Sequence, residues 1–241
     1  MKADKNFDFY EFAGIVMPGA ILIFGLAQAE TLIAQTVPLK DMSLGSLGVF
    51  LILSYAAGHL LQTLGVFLEK AWWYWHGMPS DWILANKLKL IHDWQRDAII
   101  SQLPIKLGMP GIVDLSKISR QQWRGITRQI YVAVSSKNRT LRIDIFNGNY
   151  GLNRGLCVAL VVVALVALVK SPTGNWGTVL LLLFGALLAV LRMHRVGKQY
   201  ASELLVEFLQ LPMPSPSDEK KSNKINNEDA AASAKENKEN E

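Results

Sequence analysis

Long uncharged blocks alternate with stretches dense in charge along this chain, and that alternation sets its organisation. No charged residue falls between Phe12 and Ala29, between Met42 and Leu68, or between Ser171 and Leu191. A fourth block, Gly155–Val169, is bounded by Arg154 and Lys170. A helix that crosses a bilayer needs about 20 mostly apolar residues. The fourth block is short, so its helix must begin earlier, within "FNGNYGLN", and let the Arg154 and Lys170 stems carry their charges outward. The pattern therefore predicts an all-α chain with four transmembrane helices, at about 12–29, 44–68, 150–169 and 172–191.

The segments between and after these spans divide the rest. Residues 1–70 form a first transmembrane hairpin and 147–192 a second, separated by a basic helical segment at 71–146. In that segment "DWILANKLKLIHDWQRDAIISQL" places Trp82, Leu90, Ile91 and Trp94 near one face of a helix, with an N-cap at Ser80 or Asp81. Pro104, Pro110 and Gly111 end it. A second helix starts around Ser119 and carries Arg120, Arg124 and Arg128 on one face. After the last span, residues 193–211 read as an amphipathic helix with Leu204, Leu205, Phe208 and Leu209 as its apolar side. From 212 to 241 the chain is polar, with Met213 and Ile225 its only large hydrophobes, and is expected to be disordered.

Charge gives the orientation. Lys and Arg crowd the segment from Lys70 to Arg154 and follow the fourth span at Arg192, Arg195 and Lys198, whereas the opposite side offers only Lys40 and, at its edge, Lys170. The positive-inside rule then places both termini and the central segment in the cytoplasm. Ala27-Gln28-Ala29 resembles a signal-peptidase site, but Asp4, Asp8 and Glu11 offset Lys2 and Lys5, so the first span is expected to stay. Trp72, Trp73, Tyr74 and Trp75 beside Lys70 suit an interfacial aromatic belt.

Composition sharpens this. Of 241 residues, 50% are hydrophobic and only 19% charged, against about 25% charged in ordinary soluble domains. The single cysteine, Cys157, lies in an apolar run, which excludes a disulfide framework and favours a buried hydrophobe. The four histidines show no metal-ligand spacing, and no phosphate loop, zincin motif or nucleophile elbow is present. The chain is therefore expected to be non-enzymatic, with no cofactor, metal or catalytic residue.

Three residue sets remain as candidate sites. Tyr55, His59 and Gln62 share a face of the second span, which Glu69 continues. Ionisable groups in lipid point to function, although hydrogen bonds between helices, about 0.6 kcal/mol each, explain such a face as well. Arg142, Phe146, Tyr150 and Arg154 recur every four residues at the entrance to the third span. They form a cation–aromatic stripe, a packing seam or a ligand face, with stacking worth about 0.5–1 kcal/mol per pair. Gly148 and Gly151 would let a neighbouring helix approach it, and the Asn side chains would hydrogen-bond across the contact. Arg120, Arg124 and Arg128 could hold anionic lipid headgroups, an acidic partner protein or nucleic acid; so close to the bilayer lipid contact is the favoured reading, and nothing else indicates nucleic acid.

"FYEFAGIVMPGA", "YAAGHLLQ" and "FNGNYGLNRGL" resemble a loose group of small four-span bacterial inner-membrane proteins of unassigned function, some encoded beside anti-phage defence genes. The resemblance covers roughly the membrane-proximal two-thirds of the chain and supplies no catalytic residues. It implies an inner-membrane location and a possible antiviral role. The resulting expectation is an oligomeric membrane sensor, anchor or effector for a cytosolic protein partner. The alternative is a small ion channel or transporter lined by the Tyr55/His59/Gln62 face.

Overall fold

The computed structural model describes residues 9–29, 44–75, 77–85, 90–109, 114–170, 174 and 176–214. Among them the chain is all-helical, with no strand. Seven α-helices follow in order: α1 (Phe9–Ala29), α2 (Leu44–Trp72), α3 (Trp82–Ala85), α4 (Asp93–Leu107), α5 (Arg120–Ser135), α6 (Leu141–Lys170) and α7 (Trp176–Leu209). Single 3-10 turns at Pro79–Asp81 and Leu115–Lys117 punctuate the middle.

Three of these helices, α2, α6 and α7, are long and apolar enough to cross a membrane. In α1 the described apolar stretch, Gly14–Gln28, is shorter. The bundle wears its hydrophobes outside: Ile52, Leu60, Leu180, Leu181 and Phe184 are all exposed, and only 22% of the apolar window of α2 is buried. A water-soluble protein rarely leaves so continuous an apolar surface open. This is a membrane protein.

Helix α6 is the centre of the bundle. It packs antiparallel to α7 and α2 and parallel to α1, while α1 and α2 form an antiparallel hairpin. Without a hydrophobic drive between helices in lipid, close approach must come from small residues. A Cβ on Gly19 would strike the Ser54 carbonyl, and one on Gly58 the Ile15 carbonyl. Gly14 lies against the Gly148 carbonyl, and the Pro18 ring against Gly155. The chain stays α-helical through Pro18, whose lost backbone bond is accommodated in this buried contact.

At one end of the bundle stands a polar helical unit with its own core: Ile99 and Leu103 of α4, Trp123, Ile126, Ile130 and Val134 of α5, Ile143 of α6, and Leu204, Leu205 and Phe208 of α7. The span expected at 172–191 and the amphipathic stretch expected at 193–211 are thus joined in one helix, α7, passing without a break from bundle to unit. Arg139 and Arg142 fasten the start of α6 to Glu207 and Glu203 at 2.9 and 3.2 Å. Lys106 donates to the Phe208 and Leu209 carbonyls, capping the end of α7 at 2.9 and 2.8 Å.

The helix expected to run from an N-cap at Ser80 or Asp81 is not continuous. Short α3 ends at Ala85, and α4 restarts after His92, whose backbone N–H donates to Gln95 Oε1 at 2.9 Å. Trp82 is consequently buried while Trp94 is exposed, so they do not share a buried face. Nor does Pro104 end α4, which continues to Leu107 and stops at Gly108, in left-handed backbone at φ 61°. Helix α5 does begin at Ser119, with Gln122 completing its capping box. The tail from 215 onward lies outside the described residues.

Candidate functional site

Where bundle and polar unit meet, the helices leave a cavity of about 810 Å³. Gln62 and Glu69 of α2 enter it from one side, Asp144, Asn147, Tyr150 and Arg154 of α6 from another, and Tyr131 of α5 and Tyr200 of α7 from the polar unit. Backbone at Gly14, Gly148, Gly151 and Gly197 completes the wall.

Arg154 organises this site. Its Nη1 lies 2.5 Å from Glu69 Oε2 and its Nη2 donates to Gln62 Oε1 at 2.6 Å. Gln62 in turn donates through Nε2 to the Gly14 carbonyl at 3.0 Å and, more weakly, to the Gly151 carbonyl at 3.4 Å. One side chain therefore links α1, α2 and α6. A charge-assisted network of this kind is stronger than neutral hydrogen bonds, and more so where water is scarce. Both partners of the ion pair are about one-fifth exposed.

Around it sits an aromatic layer. Trp73 donates its indole N–H to the Tyr150 hydroxyl at 2.9 Å, and Trp72 donates to His194 Nδ1 at 3.2 Å. The Trp73 and His194 rings stack at 4.8 Å. Deeper in the polar unit, Tyr131 donates to Asp144 Oδ1 at 2.7 Å. Burial and the charge of Asp144 push the Tyr200 phenol up, so it stays protonated.

The residues singled out from the sequence scatter unevenly over this geometry. Gln62, Tyr150 and Arg154 line the cavity. Tyr55 and His59 do not: they face outward from α2, edge to face at 4.6 Å. Arg142 joins Glu203 instead of an aromatic ring. Among the described residues no cation–π contact forms in the Arg142–Phe146–Tyr150–Arg154 stripe, because carboxylates on α2 and α7 offer its arginines stronger partners. Asn149 and Asn153 likewise do not reach across helices; their amides donate to the Ile145 and Asn149 carbonyls of their own helix. Among the bundle contacts it is Gly14, not an Asn, that meets Gly148.

The arginine stripe of α5 is exposed throughout and divides between two hollows. Arg120 and Arg124 line one with Lys70 and Trp73, and Arg128 the other with Lys106. The Trp-rich segment divides too, with Trp73 buried and Tyr74 and Trp75 out. Cys157 is a buried free thiol.

Sequence reasoning passed over Glu69 as the partner of Arg154, and over Asp144, Asn147, Tyr131 and Tyr200. The opposite charges in "FLEK" and "LNRG", at the same end of two antiparallel spans, were the signal for the first. Among the described residues no three His, Cys, Asp or Glu side chains gather to hold a metal. No protein-family model matches the chain, and no curated protein or solved structure is detectably similar to it.

Proposed function

We propose that this is a four-span, non-enzymatic inner-membrane protein that links the state of the bilayer to a cytoplasmic helical unit, which docks a cytosolic protein. The observation that carries the reading is the passage of α6 and α7 from apolar bundle into the core of the polar unit without a break. Two stiff helices entering one packed core transmit a tilt or shift, because packed cores switch between arrangements rather than deform smoothly. The Arg154–Glu69–Gln62 network sits at the junction and would fix the relative placement of α1, α2 and α6.

Block α1 supplies the fourth span in this proposal, and the Lys/Arg bias puts both termini and the polar unit in the cytoplasm. Self-association belongs to it as well. Tyr55 and His59 present polar groups on the outward face of α2, which in hydrocarbon favours cover by a second copy. The resemblance to proteins encoded beside anti-phage genes makes defence the setting in which a partner should be sought.

Labelling with a membrane-impermeant maleimide in intact cells tests the topology. On a Cys157→Ala background, Trp94→Cys should stay unlabelled until lysis, and Gly174→Cys should label at once. Label on Trp94→Cys in intact cells would reverse the orientation. Native mass spectrometry of the nanodisc-embedded chain, with and without cytosolic extract, tests assembly. A chain that stays monomeric and takes up no cytosolic protein contradicts the docking role.

A further inference from the structure

A second hollow, of about 630 Å³, opens beside the polar end of α2. Three cations line it: Lys70 of α2, and Arg120 and Arg124 of α5. The one carboxylate in its wall, Glu69, is already taken by Arg154. Asp81 stands close behind, 4% exposed. Neither arginine comes within 4.0 Å of a carboxylate among the described residues. Asp81 acts on both arginines from a distance, but one carboxylate against three cations leaves the hollow with a net positive charge.

Its position is equally specific. Gly77 has φ 71°, left-handed backbone that favours glycine, and the Arg120 guanidinium packs against this turn, its carbon 3.4 Å from where a Cβ would stand. The outward side chains of α2, Leu60, Leu64 and Phe67, are exposed and lead along the apolar surface to Lys70 at the rim. Tyr74 and Trp75, 73% and 82% exposed, pair edge to face at 5.4 Å beside it. Amphipathic aromatics of this kind settle at headgroup level.

We propose that Lys70, Arg120 and Arg124 bind the phosphate of an anionic phospholipid headgroup, with its acyl chains along Leu60, Leu64 and Phe67, beside the strip of α2 that carries Tyr55 and His59. Arginine suits this because its planar fork meets two phosphate oxygens at once, and a pocket at the headgroup level delivers the ligand from the adjoining leaflet. The inference rests on α2 crossing the bilayer, but not on the orientation of the chain or on a cytosolic partner. Arg128, a turn further along α5, lines a different hollow and should play no part.

The full chain in nonionic detergent is titrated with phosphatidylglycerol, phosphatidylcholine and inorganic phosphate, and bound species are counted by native mass spectrometry. Wild type should retain phosphatidylglycerol in preference to phosphatidylcholine. Replacing Arg120 and Arg124 together by Gln should weaken that binding about thirtyfold, at roughly one kcal/mol per lost cation. R128Q should leave it unchanged; the double variant also takes two offsetting charges from buried Asp81, so it should melt somewhat below wild type without added lipid, and its binding is scored on the folded species alone. Equal loss in R128Q, or no loss in the double variant, overturns the site. Inorganic phosphate that binds and displaces phosphatidylglycerol would overturn the lipid as its source and assign the pocket to a soluble phosphate compound.

Discussion

Arg154 and Glu69, 85 positions apart in sequence, meet at 2.5 Å where the membrane bundle joins the polar unit. Among the described residues the pair is the only link in the α1–α2–α6 contacts that joins full charges, and Gln62 extends it to the α1 backbone. Removing one partner leaves a charge without its counter-ion in a site with little water. Arg154→Leu should therefore cost about 2 kcal/mol, below the range for fully buried pairs because this one is partly exposed. The double variant Arg154→Leu/Glu69→Leu should recover much of the loss. Thermal unfolding of the two in the same detergent measures both effects.

Glycine positions in the bundle should respond with opposite signs. Gly19→Ala drives a methyl group into the Ser54 carbonyl, and Gly58→Ala into the Ile15 carbonyl. Each should separate α1 from α2 and lower stability by about 1–3 kcal/mol. Gly48 and Gly125 have nothing within 4 Å of a Cβ. There the gain in helix propensity, up to about 1 kcal/mol, should appear alone. Melting temperatures of the four single variants separate packing from propensity.

Asp81 gives a pH dependence. Burial raises its pKa above the ordinary 3.8, with Arg124 and Arg120 opposing. A carboxyl whose folded-state pKa lies above its unfolded value contributes most to stability when protonated, below the unfolded pKa. That contribution is lost as pH rises through the folded value. Above that folded value the charged Asp81 weakens the fold, and Asp81→Asn should melt higher than wild type there. The difference should shrink as pH falls toward 3.8 and vanish below it. A constant offset at every pH would rule out this account.

Lys106 ties the polar unit to the end of α7. It satisfies two carbonyls of the last turn and lies over the Phe208 ring at 5.3 Å. Lys106→Met keeps most of the stem but leaves the C-terminal carbonyls without that donor, at a cost of about 1–2 kcal/mol. Hydrogen exchange should quicken in the last turns of α7 and leave α1 and α2 unchanged.

The apolar blocks at α2, α6 and α7 were legible because lipid demands long uncharged helices, and length and composition alone reveal them. So was the start of α5, since the Ser119–Gln122 pair is a local signal. What escaped was set by partners distant in sequence. Tyr55, His59 and Gln62 share one helical face, yet only the long Gln62 side chain, near the crossing with α1 and α6, reaches inward. Periodicity brings Arg142 and Arg154 onto one stripe with Phe146 and Tyr150, but not the carboxylates of α2 and α7 that take them. Asn149 and Asn153 could bond within or across helices, and composition does not choose between the two.

Amide hydrogen exchange in α4 and α5, compared between nanodiscs of short-chain and long-chain lipids, tests the coupling of bundle to polar unit most directly. Exchange there should shift with bilayer thickness in wild type, and the shift should be much reduced in Arg154→Leu. Exchange in α4 and α5 that is identical in both bilayers would contradict the coupling and leave the polar unit a passive appendage of the membrane bundle.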